Sequence, residues 1–151
     1  MKNLSRLLKP QSIALIGGIW AKNVYTQLIK ANFCGDIWPI HPSKANFGTH
    51  KCFRDISLLP NAPDATFVGV NKIKTIEIVK KLAEVGAGGA VCFASGFSET
   101  SQASSGFEGQ DLQEQLVNKS GDLAVLGPNC YGFINYLDGI MMWPDQHGGS
   151  R

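Results

Sequence analysis

Charge is scarce in this 151-residue chain: Asp, Glu, Lys and Arg make up 17%, against ~25% in a typical globular protein. The two signs nearly cancel, 14 basic residues against 12 acidic, for a net charge of +2. A nucleic-acid binder needs a basic excess gathered on one face, and none is available here. There are four cysteines, Cys34, Cys52, Cys92 and Cys130, spread along the chain with no CxxC or HxxxH pair. That spacing excludes the usual zinc modules and reads as reduced thiols, not as a disulfide framework. No apolar run approaches the ~20 residues needed to span a bilayer. Lys2, Arg6 and Lys9 ahead of an apolar stretch mimic a secretory signal. Pro10 and the Gly17–Gly18 pair interrupt it, however, and no small-x-small cleavage site follows. These features together predict a soluble cytoplasmic protein with no membrane contact.

The length allows one domain with a sizeable core. Five short runs are apolar almost throughout: residues 12–16, 37–40, 65–70, 89–93 and 123–126. Strands apolar on both faces belong to parallel sheets covered by helices on each side. Pro39 lacks an N–H, so the second strand is expected to have a short or irregular ladder there.

The intervening segments carry helical spacing. Val24, Tyr25, Leu28 and Ile29 share one face. Ile73, Ile76, Val79, Leu82 and Ala83 form a stripe, Glu77 and Lys81 stand four apart in the favourable order, and Gly86 is a natural stop. A later helix spans about residues 109–119, with Leu112, Leu116 and Val117 facing inward and Gly121 closing it. Residues 55–59 hold at most one or two turns before Pro60. Alternation of strand and helix predicts a doubly wound, five-stranded parallel α/β sheet.

In such sheets ligands bind beyond the carboxyl ends of the strands. The candidate contacts are therefore Gly17–Gly18, the His41-Pro42-Ser43-Lys44 corner, Asn71–Lys72, Ala94-Ser95-Gly96, and Gly127-Pro128-Asn129-Cys130. Gly17–Gly18 before a helix lets a phosphate approach free N–H groups, although a plain tight turn accounts for it equally well. The chain has no GxGxxG. A dinucleotide site also wants an acid after the second strand, and none occurs between Ile40 and Asp55. Lys44 stands there instead and suits an anionic phosphate, though a solvated loop lysine is the commoner case. Ser95–Gly96 is a small corner open to a ligand or simply a polar turn into the Ser/Gly-rich stretch 100–106. Asn129 fits a tight loop, and Cys130 has no activating neighbour and reads as a packing residue. None of His41, His50 and His147 sits in a motif with a base, a metal partner or a glycine loop.

Taken in order, SIALIGG at 12–18, IWPIHP at 37–42, LLPNAPD at 58–64, GAGGAV at 86–91, SGFSE at 95–99 and GPNCYG at 127–132 resemble a known family. It is the CoA-binding domain of the nucleoside-diphosphate-forming acyl-CoA synthetases, among them ADP-forming acetate–CoA ligase and the succinyl-CoA synthetase alpha subunit. The resemblance covers about residues 9–139, and the GPNC ending is its most specific part. It implies a Rossmann-like fold and bound coenzyme A. The phosphates would lie near Gly17, Gly18, Ile19 and Trp20, with Lys44 beside Pro42 contacting one of them. Val70–Asn71 matches a Val-Pro corner, Phe93, Ala94, Ser95 and Gly96 the segment along the pantetheine arm, and Asn129 and Cys130 the loop presenting the thiol. Bulky Ile19 and Trp20, and Asn71 in place of proline, depart from the pattern.

The family's phosphoryl-carrying histidine belongs to a further domain, and none of the three histidines here matches it. The expected organisation is a CoA-binding domain over 1–138 and a tail, 139–151, leading toward a missing domain or partner. The apolar run at 139–144 is expected to pack on that domain, on a partner subunit or on a second copy. The resemblance implies part of an ADP-forming acyl-CoA ligase that is inactive alone. A CoA-sensing regulatory domain and an NAD-binding oxidoreductase domain are the competing readings.

Overall fold

In a computed structural model of the protein, residues 2–93, 106–127 and 132–146 are described. The elements begin with α1 (Ser5–Leu8), β1 (Ser12–Gly17), α2 (Ile19–Lys30), β2 (Asp36–Ile40), β3 (Asn46–Phe47) and β4 (His50–Lys51). A one-turn 3-10 helix, Ile56–Leu58, leads to β5 (Ala65–Gly69), α3 (Lys72–Glu84) and β6 (Gly89–Cys92). The chain then forms α4 (Gly106–Ser120), β7 (Ala124–Leu126), β8 (Phe133–Asn135) and β9 (Ile140–Met142). Five strands pair in parallel in the order β2-β1-β5-β6-β7, and β3–β4 and β8–β9 are antiparallel hairpins. The expected parallel sheet is thus present. Its switch point lies between β1 and β5, where the chain turns back from β2 across β1.

Alternate residues of each strand feed separate cores. Ile13, Leu15, Phe67 and Val91 face α2 and β9, while Ala14, Ile16, Val68, Ala90 and Cys92 face α3 and α4. Burial on both faces is why these strands lack polar alternation.

Helical faces are narrower than the apolar spacing implies. Ile73 is 61% exposed, and Ile29 and Val117 are also exposed. A strict three-residue repeat falls about 60° short of a full turn at each step. Ile73 therefore ends up across the helix from Leu82, and Thr75 takes the buried place. Lys81 does not serve Glu77; its ammonium lies 3.1 Å from Asp55.

Pro39 does not disturb the ladder with β1, which runs unbroken from Ser12↔Asp36 to Ile16↔Ile40. Its carbonyl points outward, accepting from the Phe53 N–H at 2.8 Å. The missing N–H faces that same outer edge, where proline is tolerated.

The apolar run near the carboxyl end is not left uncovered. Ile140, Met141 and Met142 are buried, at most 2% exposed, in the core against α2. The expectation that this run awaits a partner is overturned: β8 pairs with β9 and lays it on the chain's own sheet.

Candidate functional site

The carboxyl ends of β2, β1, β5 and β6 lie side by side, since Ile16 pairs with Ile40 and with Val68, and Val68 pairs with Cys92. Gly17, His41, Val70 and Phe93 consequently share one rim. Gly17 has φ +134°, and a Cβ there would stand 2.6 Å from the Gly69 carbonyl oxygen. Only glycine allows the chain to leave β1 in this way. A Cβ on Gly18, by contrast, would meet nothing within 4 Å. Gly18 is the N-cap of α2 and makes no side-chain cap hydrogen bond. The first N–H groups of a twelve-residue helix thus begin beside open space with no side-chain cap, and no acid occupies its first turn.

Trp20 closes one side of this opening. Its ring meets Phe93 edge-on, with centroids 4.9 Å apart, and Phe93 stacks in turn on Phe67 at 6.3 Å. Trp20 is 38% exposed, and its Cβ would stand 3.2 Å from a Cβ placed at Gly69. Ile19 is exposed beside it. The bulky pair therefore forms an apolar wall on the rim and does not fill the glycine turn.

The end of β2 supplies the cationic side. Residues 52–54 run beside β2, joined by an Ile40↔Phe53 bridge, and this sets Arg54 next to the corner at 41–44. Arg54 Nη1 donates to the carbonyl oxygens of His41 (2.9 Å) and Lys44 (2.7 Å). His41 Nδ1 accepts from the Lys44 N–H at 2.9 Å and the Ser43 N–H at 3.1 Å. Lys44 Nζ lies 5.8 Å from the centroid of the Phe47 ring, and Pro42 is exposed between His41 and Ser43. Arg54 was missed in the sequence, because nothing local reveals that its segment pairs with β2. The nearest acid in sequence, Asp55, accepts from Ser57 and Lys81 and is held well below the usual carboxylate range, at about 2, chiefly by Ser57.

Val70 and Asn71 lie where β5 passes into α3. Asn71 Oδ1 accepts from the Lys74 N–H at 2.9 Å, so Asn71 caps the helix where the resemblance expects proline. Lys72 and Lys74 occupy the first turn of α3, where the helix dipole disfavours cations. Their placement adds positive charge to the rim at some cost to the helix. Ala94, Ser95, Gly96, Asn129 and Cys130 lie outside the described residues.

A doubly wound α/β sheet with an open glycine turn and a cationic rim at its switch point defines a Rossmann-like nucleotide-type binding domain. More particularly, the family of CoA binding domains matches residues 11–136, and the chain belongs to it. It is 30% identical over 146 residues to a trans-feruloyl-CoA synthase from an unknown prokaryotic organism, covering 92% of this chain and 20% of the relative. It is 28% identical over 144 residues to an ADP-forming acetate–CoA ligase II of Archaeoglobus fulgidus, covering 92% and 21%. The solved dinucleotide-forming acetyl-coenzyme A synthetase 1 of Ca. Korarchaeum cryptofilum superposes with a TM-score of 0.84 at 26% identity, over 93% of this chain and 31% of that one. The chain thus spans about a fifth of the length of these curated relatives.

Proposed function

We propose that this chain binds coenzyme A along the carboxyl rim of its sheet, as the CoA-holding part of an ADP-forming acyl-CoA ligase. The observation that carries this reading is the open Gly17–Gly18 turn at the uncapped start of α2, with Lys44 and Arg54 at the adjacent strand end. The residues fit the ligand. CoA is a polyanion with a long neutral arm, and the rim offers helix N–H groups and cations for phosphate beside an apolar wall.

Gly17, Gly18 and the first turn of α2 would receive phosphate oxygens, and Lys44 would pair with a further phosphate. Trp20 and Phe93 would lie along the arm, with Val70 and Asn71 flanking it. When bound, CoA supplies the thiol that accepts an acyl group from an acyl phosphate. This chain's part is positioning, which sets how often the thiol meets its partner in attack geometry. The phosphoryl-carrying histidine would belong to another part of the enzyme. A domain division at 138/139 would cut the β8–β9 hairpin, whose second strand is buried in this domain's core; the same proposal therefore puts ligase domains or a partner subunit beyond that hairpin.

Titration calorimetry with CoA, dephospho-CoA and NAD tests the reading. CoA is expected to bind most tightly, and a preference for NAD would overturn the proposal. Acetyl-CoA, ADP and phosphate should yield no ATP with this chain alone.

A further inference from the structure

The rim's cationic corner is held by a histidine to which no role has yet been given. We infer that His41 is a positioning residue whose neutral imidazole caps the Lys44 corner, so that CoA binding weakens as His41 takes up a proton. The inference rests on the proposed CoA site for its ligand, but the cap itself is independent of it. One ring nitrogen, Nδ1, accepts from two successive backbone N–H groups, those of Ser43 and Lys44, at 3.1 and 2.9 Å. An atom with one lone pair in the ring plane can accept only while unprotonated. Protonation turns it into a donor facing two donors, and the corner must then open.

The surroundings favour the neutral ring. Lys44 stands three residues on, and Arg54 grips the carbonyls of His41 and Lys44. Both charges oppose a third, and together with burial they lower the His41 pKa below the ordinary value, burial being the larger cause. Phe47 of β3 presents only a ring, 6.4 Å away. On β4, His50 engages the Tyr25 hydroxyl at 2.8 Å. The Cys52 thiol is pushed up by burial and stays uncharged. On the segment beside β2, Asp55 is engaged by Ser57 and Lys81.

Asparagine is the informative replacement. Its Oδ1 hangs from Cγ, as Nδ1 does, and accepts hydrogen bonds at every pH. Two measurements test the cap. The first is amide NMR of the free protein: the Ser43 and Lys44 signals should titrate together, with a midpoint below 6.5 (the ordinary histidine value), and stay flat in His41→Asn. Flat signals in the wild type would overturn the cap whether or not CoA binds.

The second is CoA affinity by calorimetry from pH 8 down to 5. His41→Ala should bind about tenfold more weakly at pH 8, and His41→Asn should recover most of that loss. The wild type should fall about tenfold further behind His41→Asn as pH drops, after the ligand's own phosphate titration, common to both, cancels. Parallel pH profiles for the two proteins would overturn the coupling to binding. Absence of CoA binding at pH 8 in the wild type would instead sink the proposed function, leaving the amide titration to decide the cap.

Discussion

Gly17 and Gly69 are register partners in β1 and β5, and their backbones approach so closely that a side chain on Gly17 would strike the Gly69 carbonyl. This contact sits at the switch point of the sheet. It fixes where the chain leaves β1 and hence where α2 begins.

Gly17→Ala should therefore be costly. The residue has φ +134°, a region that costs a residue with a side chain about 1–3 kcal/mol, and the clash with rigid backbone adds to it. Urea denaturation is expected to show a loss of at least about 2 kcal/mol with an unchanged slope. Gly18→Ala meets open space and should cost under about 1 kcal/mol. Equal losses in the two variants would contradict the geometry.

Lys44→Ala tests the phosphate assignment. The side chain is exposed on a corner whose backbone is held by Arg54 and His41, so its removal should leave the fold intact. CoA affinity is expected to fall about tenfold, with a shallower salt dependence, as one charge-assisted contact is lost. Pantetheine, which lacks the nucleotide, should bind the variant and the wild type alike. Unchanged CoA affinity would remove Lys44 from the site.

The five sheet strands were legible because both faces of the sheet are buried, Ile13 and Phe67 on one and Ile16 and Val68 on the other, and continuous apolar runs record that directly. The hairpins were not: β3 and β4 have two residues each, too few for any period, and the apolar run that holds β9 reads as a surface awaiting a partner. A local signal for β8–β9 did exist. Asp138–Gly139 is a turn pair, Gly139 has φ +68°, and Asn135 Oδ1 caps the Leu137 N–H at 3.1 Å. In the site, Gly17, Gly18 and Lys44 were readable from their positions after strands. Arg54 was not, and His41 was readable as a position but not in its role, because these roles arise from a segment that returns beside β2 and from a ring nitrogen facing backbone. Neither arrangement leaves a pattern in residue spacing.

Met142 measures how far the carboxyl-end hairpin belongs to the core. It is fully buried, in the same cluster as Leu28 and Phe67. Truncating such a side chain to alanine removes about 2–5 kcal/mol. Met142→Ala should lose stability in that range, and Leu137→Ala, on the exposed turn, under about 0.5 kcal/mol. A negligible loss at Met142 would restore the idea that this run serves a partner.

Asp55 predicts an acid-limited contribution to stability. Its carboxylate accepts from the Ser57 N–H and hydroxyl and from Lys81, and these partners bring it down from 3.8 to about 2. A carboxyl more acidic folded than unfolded favours the folded state at any pH above its unfolded value. That contribution fades as pH falls from about 4 and is gone below the folded value of about 2. The group is 43% exposed, so solvent screening keeps the gain modest, within about 1 kcal/mol. Asp55→Asn should therefore be less stable than the wild type by a constant margin between pH 5 and 8, and the margin should close between pH 4 and 2. Half-molar salt should trim the Lys81 part while leaving the short Ser57 bonds. A margin that persists unchanged to pH 2 would mean that Asp55 acts through its shape and not its charge.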